Sequence, residues 1–112
     1  GLEPNYHASD IENCRADLEK NEVNANIMVD FSHGNSQKNH ENQKKVSDSI
    51  CDQIASGNKD IIGVMIESHL KEGNQKISEN MEYGKSITDA CVDWEETKKL
   101  LNDLAQAVKA RR

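Results

Sequence analysis

Two stretches carry ionisable side chains to the ends of apolar runs. In Ile27-Met28-Val29-Asp30-Phe31-Ser32-His33-Gly34-Asn35-Ser36 the chain turns from β-prone to polar, with His33 at the change and Gly34 directly after it. In Ile61-Ile62-Gly63-Val64-Met65-Ile66-Glu67-Ser68-His69 the same logic delivers Glu67. The C-terminal ends of strands in parallel α/β sheets and barrels are where chemistry is assembled. Thr88-Asp89 offers a third contribution, again acidic. An imidazole and two carboxylates form a mixed nitrogen and oxygen donor set suited to a divalent first-row metal such as Mn, Fe, Co or Zn. His33, Glu67 and Asp89 are therefore the candidate metal ligands. No compact HExxH-type motif is present, so placement at neighbouring strand ends carries this reading, not spacing. Blander readings stand beside it: a strand-end His is often a hydrogen-bonded loop residue, and a Glu there often caps the next helix.

Other residues near these ends have two readings each. Asp30 lies inside an apolar strand, and a buried carboxylate needs partners. It either orients a metal ligand or joins a polar network in a barrel interior. His69 points the same way as Glu67 only if the strand continues. His7 and His40 read as surface residues, and Cys91 as a small buried side chain. Lys85 is a candidate phosphate contact beside Asp89, against the plainer reading of a solvated loop lysine. Trp94 reads as a packing anchor.

The elements that must position these groups follow from periodicity. Gly1 to His7 has none, holds the only proline, Pro4, and reads as a loop entering a helix over 10–21. Ser9 and Glu12 there have capping-box spacing. A strand over 26–32 hardly alternates, which predicts cover on both faces and a parallel sheet under helices. A helix over 39–56 carries Val46, Ile50 and Ile54 at intervals of four and stops at Gly57-Asn58. A second buried-type strand spans 60–68. The loop over 69–92 is long and polar, a length that marks function or disorder. A helix over 93–110, capped by Asp93, buries Leu100, Leu101, Leu104, Ala105 and Val108. Alternating helices and strands predict βα units with right-handed crossovers.

Bulk properties narrow the function. A chain of 112 residues is one domain at most. Apolar residues make up 35%, enough for a modest core. No apolar run is long enough to span a bilayer and no leader-like segment opens the chain, so no membrane association is expected. Cys14, Cys51 and Cys91 are odd in number and widely spaced, as expected for reduced thiols in a cytoplasmic protein. A net charge of −6 with 4% aromatics argues against nucleic-acid binding. Lys44-Lys45 and Lys98-Lys99 read as solvated helix faces, and Arg111-Arg112 suits a helix C-terminus.

Two buried-type strands do not complete a sheet. They leave unpaired edges and apolar faces to hide, and a (β/α)8 barrel needs eight strands over roughly 250 residues. The fold class expected is α/β: a partial TIM (β/α)8 barrel, its last two strands with flanking helices, with residues 1–112 as its C-terminal segment. On its own such a chain is expected to hide its edges by self-association or domain swapping, as a homo-oligomer.

The same residues carry a resemblance. Glu3-Pro4-Asn5-Tyr6, the Met28–Ser36 and Ile61–His69 stretches, Glu72-Gly73-Asn74-Gln75 and Tyr83-Gly84-Lys85-Ser86-Ile87-Thr88-Asp89-Ala90-Cys91 resemble, in order, the C-terminal third of type I 3-deoxy-D-arabino-heptulosonate 7-phosphate (DAHP) synthases. The resemblance implies a transferase that condenses phosphoenolpyruvate with erythrose 4-phosphate and releases phosphate, the entry to the shikimate pathway and aromatic amino-acid biosynthesis. It implies a divalent metal held by a Cys, a His, a Glu and an Asp. His33, Glu67 and Asp89 match the last three, with His33 also near phosphoenolpyruvate as a catalytic and substrate-binding residue. None of Cys14, Cys51 or Cys91 matches the ligating Cys, which the resemblance places on an upstream barrel segment. The Arg and Lys residues that grip the phosphorylated substrates, and the feedback-inhibitor pocket, are implied upstream as well. The isolated chain is then expected to be inactive and to need that segment as a partner. A non-catalytic structural fragment that folds or self-associates without metal is the alternative from another class. A different metal-dependent barrel aldolase is a third.

Overall fold

The computed structural model describes residues 3–112; the loop reading of Gly1 and Leu2 lies outside them. Helix α1 spans Ala8–Lys20, strand β1 Ile27–Asp30, the single turn α2 His33–Ser36, a 3-10 turn His40–Asn42, helix α3 Gln43–Ala55, strand β2 Ile61–Met65 and helix α4 Trp94–Arg111. The chain is α/β, with β1 and β2 paired in parallel. Parallel strands need a long crossover, and α3 provides it.

Met28 faces Gly63, Val29 faces Val64 and Asp30 faces Met65, whereas Ile27 faces Ile61. Ile62 is thus an extra residue, a bulge at the entry of β2. The Phe31 N–H donates to the Met65 carbonyl at 2.8 Å and closes the ladder. The regular strands are shorter than the 26–32 and 60–68 expected, for local reasons. The Asp30 carboxylate accepts the Ser32 N–H at 2.7 Å, and His33 enters the left-handed region at φ 47°, so β1 cannot run on. Beyond Met65, the Gln43 side chain, not β1, pairs with the Glu67 backbone.

Helix boundaries differ too. The helix expected over 10–21 begins at Ala8, because the Asp10 carboxylate reaches back to the His7 N–H at 3.2 Å. Glu12, expected in that role, is drawn to Arg15, whose Nε donates to it at 3.0 Å. The helix expected from residue 39 starts as the 3-10 turn, its Asn39 side chain accepting the Glu41 N–H at 3.0 Å. Asp93 caps α4 by accepting the Glu96 N–H at 2.8 Å. The stretch over 69–92 is held by bridges Ser68 to Val92, Gly73 to Cys91 and Asn74 to Ser86.

The α3 stripe predicted from the sequence is fully inside: Val46 and Ile50 are 0% exposed, beside Phe31, Val29 and Ile61. In α4 the inward line is Leu100, Leu104, Ala107 and Val108. Leu101 and Ala105, expected inward, face outward because they lie off that line. Trp94 is half exposed and so does not anchor packing. Arg111 ties the end of α4 to β2, its Nη1 donating to the Asn58 carbonyl at 3.0 Å and the Ile61 carbonyl at 3.1 Å.

Cover on both sheet faces was expected; among the described residues it is found on one. Met28 is 65% exposed and Ile62 64%. The radius of gyration is 15.6 Å and the thinnest dimension 18 Å, against about 13 Å for the radius of a compact domain of this length. The shape is a slab with one filled side. No helix among the described residues is long and apolar enough to cross a membrane. Cys14, Cys51 and Cys91 are all free.

The Ile50 side chain is the centre of that filled side. Ile50→Ala should lower unfolding free energy by about 2–4 kcal/mol, measured by urea denaturation followed by circular dichroism. A loss under about 1 kcal/mol would mean the α3 face is not packed as described.

Candidate metal centre

Each of the three predicted ligands reaches the site from a different segment. His33 opens α2 just after β1, Glu67 follows β2 by two residues, and Asp89 comes from the loop before α4. The parallel register of β1 and β2 brings the first two together. The third is carried in by the backbone pairs Val92 N–H to Glu67 carbonyl at 3.0 Å and Cys91 N–H to Gly73 carbonyl at 3.1 Å. Asn74 adds a side-chain tie to the Thr88 carbonyl at 2.9 Å.

His33 Nε2 lies 3.0 Å from Glu67 Oε1 and 3.3 Å from Asp89 Oδ2. Its other nitrogen, Nδ1, lies 2.8 Å from Asp30 Oδ2. A carboxylate only accepts, so Nδ1 must carry a proton and donate it. The neutral ring then presents the Nε2 lone pair to two further acceptors. Glu67 Oε1 is buried, and its contact with Nε2 lacks hydrogen-bond geometry, so it has no hydrogen-bond partner. Three electron-pair donors facing one another repel unless a positive charge joins them. A second proton on His33 is one remedy and a cation the other.

The donor set fits a cation. Two ligands on one ion with bonds of about 2.1 Å stand about 3.0 Å apart at right angles and about 3.4 Å apart at tetrahedral angles. Both His33 contacts fall in that span. Ligand atoms from His33, Glu67 and Asp89 all lie within 4.8 Å of one another, the one such group among the described residues. Asp30 holds the imidazole from behind, as carboxylates do for metal-bound histidines. His33 itself sits at φ 47°, a conformation of order 1–3 kcal/mol in cost for most non-glycine residues. The turn is braced by Asn35, whose Nδ2 donates to the Asp30 carbonyl at 2.8 Å and whose Oδ1 accepts the Asn5 N–H at 2.6 Å.

The other candidates lie apart from this centre or do something else. His69 turns its Nδ1 back to the Leu70 N–H at 2.8 Å. Lys85 lays its stem against Gly73 and points its ammonium at Glu82, 4.0 Å away. His40, read as a surface residue, is largely buried with 18% of its side chain exposed, because it packs beside the Gly73 turn, where Glu72 lies 3.8 Å away. His7 is exposed and faces Asp10. Cys91 is buried, and burial above all, with the charges of Glu67 and Asp89, pushes its thiol up.

Gln43 escaped the reading of the sequence. It is 0% exposed. Its Nε2 donates to the Glu67 carbonyl at 3.0 Å and its Oε1 accepts the Glu67 N–H at 3.1 Å. A signal existed: Gln43 stands three residues before Val46, in line with the apolar stripe of α3.

Asp30, by hydrogen bond and charge, raises the His33 pKa above its ordinary 6.5, with smaller help from Glu67 and Asp89. The folded form therefore favours the charged ring. That stabilisation is complete below the unfolded value of about 6.5 and is lost as pH rises through the higher folded value. In the metal-free chain, the His33 ring protons followed by NMR should titrate above 6.5, and Asp30→Asn should bring the midpoint down. Equal midpoints in the two proteins would remove Asp30 from this role.

Residues 1–102 match a family model described as "DAHP synthetase I family". The chain is 54% identical over 97% of its length to "Phospho-2-dehydro-3-deoxyheptonate aldolase, tyrosine-inhibited" of Schizosaccharomyces pombe, covering 31% of that relative. It is 54% identical over its whole length to the Phe-sensitive enzyme of the same name from Escherichia coli K12, covering 33% of it. A solved structure of phospho-2-dehydro-3-deoxyheptonate aldolase from Francisella tularensis superposes with a TM-score of 0.95 at 49% identity, over 98% of this chain and 32% of that one. The chain thus spans about a third of the length of the relatives it matches.

Proposed function

We propose, from the premise that this chain belongs to the DAHP synthetase I family, that it is the C-terminal part of a metal-dependent DAHP synthase. The whole protein would condense phosphoenolpyruvate with erythrose 4-phosphate to DAHP and phosphate, the first step of the shikimate route to aromatic amino acids. The observation that carries this reading is the meeting of His33 Nε2 with Glu67 Oε1 and Asp89 Oδ2 at 3.0 and 3.3 Å.

His33, Glu67 and Asp89 would hold the metal, and an upstream cysteine would complete the set. The bound ion, one of Mn, Fe, Co or Zn, would supply Lewis-acid polarisation of an aldehyde oxygen. The chain's own groups do the positioning. Asp30 keeps the His33 proton on Nδ1 and aims Nε2 into the site. Half of the His33 side chain remains exposed, leaving a face free to contact phosphoenolpyruvate. Lys85 is the one cation proposed to assist a phosphate, and it would have to leave Glu82 to do so.

Two phosphorylated anions need several charge-assisted donors, and a chain of net charge −6 does not concentrate them. The reading therefore assigns those donors to the upstream segment, as the missing part of a (β/α)8 barrel. The bare Met28 and Ile62 face supports that arrangement. So does a cleft of about 270 Å³ between α1 and the unpaired edge of β1, bordered by Ile11, Cys14, Met28 and His33. A homo-oligomeric, cytoplasmic enzyme belongs to the same reading.

Phosphate release from the two substrates with Mn added, then chelated, tests it. The isolated chain should show no turnover; mixing with the upstream two-thirds should restore chelator-sensitive turnover. In the full-length protein, His33→Ala should abolish both Mn binding and turnover. Mn binding unchanged in His33→Ala would mean that His33 is no ligand, and the chain would then be a structural part without this metal centre.

A further inference from the structure

Gln43 is a primary amide, wholly buried, at the first position of α3 and in line with its apolar stripe. A Leu or Met of similar volume would fill that space without the expense of taking an amide out of water. Both ends of the amide are used on one residue, Glu67, 24 positions away. The side chain thereby takes the place of a neighbouring strand, donating to the Glu67 carbonyl and accepting its N–H. The amide is planar, so two bonds to one residue fix the Glu67 backbone in both height and rotation. That is the point where the β1 ladder has already ended: its last pair is Asp30 with Met65, and Phe31 N–H closes it.

The residue before Gln43 acts on the other half of the site. Asn42 Nδ2 donates to the Ser36 carbonyl at 3.0 Å, gripping the turn that His33 opens. Two consecutive residues at the start of α3 thus reach both ligand-bearing segments. These bonds add to the β1–β2 register, which brings His33 and Glu67 together.

We infer that Gln43 is a positioning residue for the metal centre, holding the Glu67 backbone so that its carboxylate meets His33 and Asp89 at ligand distance. This inference rests on the reading of His33, Glu67 and Asp89 as metal ligands. Useful sites hold their ligands to about 0.5 Å, and loss of groups that orient ligands typically weakens metal binding about 10–100-fold.

The test uses the full-length protein that carries this chain, with Mn binding followed by electron paramagnetic resonance. Gln43→Met should raise the Mn dissociation constant about 10–100-fold, while kcat at saturating Mn stays near that of the parent. Gln43→Glu keeps the acceptor for the Glu67 N–H but loses the donor to its carbonyl. It should fall between the two, and it carries the test alone if Gln43→Met does not fold. Val46→Ala, a cavity in the same helix that leaves the amide intact, should lower the melting temperature yet hold Mn affinity within about twofold. The role is overturned if both Gln43 variants bind Mn as the parent does while His33→Ala does not. It is overturned equally if Val46→Ala weakens Mn as much as Gln43→Met. If His33→Ala binds Mn normally, the metal centre itself falls, and the positioning role with it.

Discussion

The register of two short parallel strands decides where everything else can go. Asp30 pairs with Met65, so the segments leaving β1 and β2 emerge side by side at one end. His33 is three residues beyond the first of these and Glu67 two beyond the second. Shifting a strand by one residue moves its alternating side chains to opposite faces. The bulge at Ile62 matters for the same reason: one more residue in β2 sets which of its side chains face α3 and which stay bare. The packing of Val46, Ile50 and Phe31 locks that register by burying one face only.

On this frame sits an electrostatic constraint. His33 has carboxylates on both nitrogens: Asp30 on one side, Glu67 and Asp89 on the other. The arrangement concentrates negative charge around a single imidazole in a chain that is already acidic. It is tolerable with a proton on the ring and well matched to a divalent ion in its place. The carboxylates therefore favour the charged His33 ring to higher pH than a free imidazole, Asp30 above all.

Support for the site comes from hydrogen bonds that look minor one at a time. Asn35 and Asn5 brace the left-handed turn at His33. Gln43 and Asn42 reach from the start of α3 to the segments that carry Glu67 and His33. The bridges within the loop before α4 carry Asp89 into place. That loop keeps most of its large apolar side chains exposed, and side chains such as Gln75, which donates to the Glu82 and Lys85 carbonyls, tie it from within.

The sequence by itself determined which ionisable residues end the apolar runs and roughly where they lie. Apolar runs ending in His33 and Glu67, an α3 stripe at intervals of four and a capping Asp93 follow from local propensity and period, which need no distant partner. The tertiary structure decided what depends on distant neighbours. Leu101 and Ala105 face out because the line of α4 that meets α3 runs through Leu100, Leu104 and Val108. His40 is largely covered by a turn more than thirty residues away. Gln43 is buried because Glu67 needed a partner where the ladder stopped, and no local pattern states where a ladder stops. Three acceptors converge on one point only once β1, β2 and the loop before α4 are assembled, because that point belongs to no single segment.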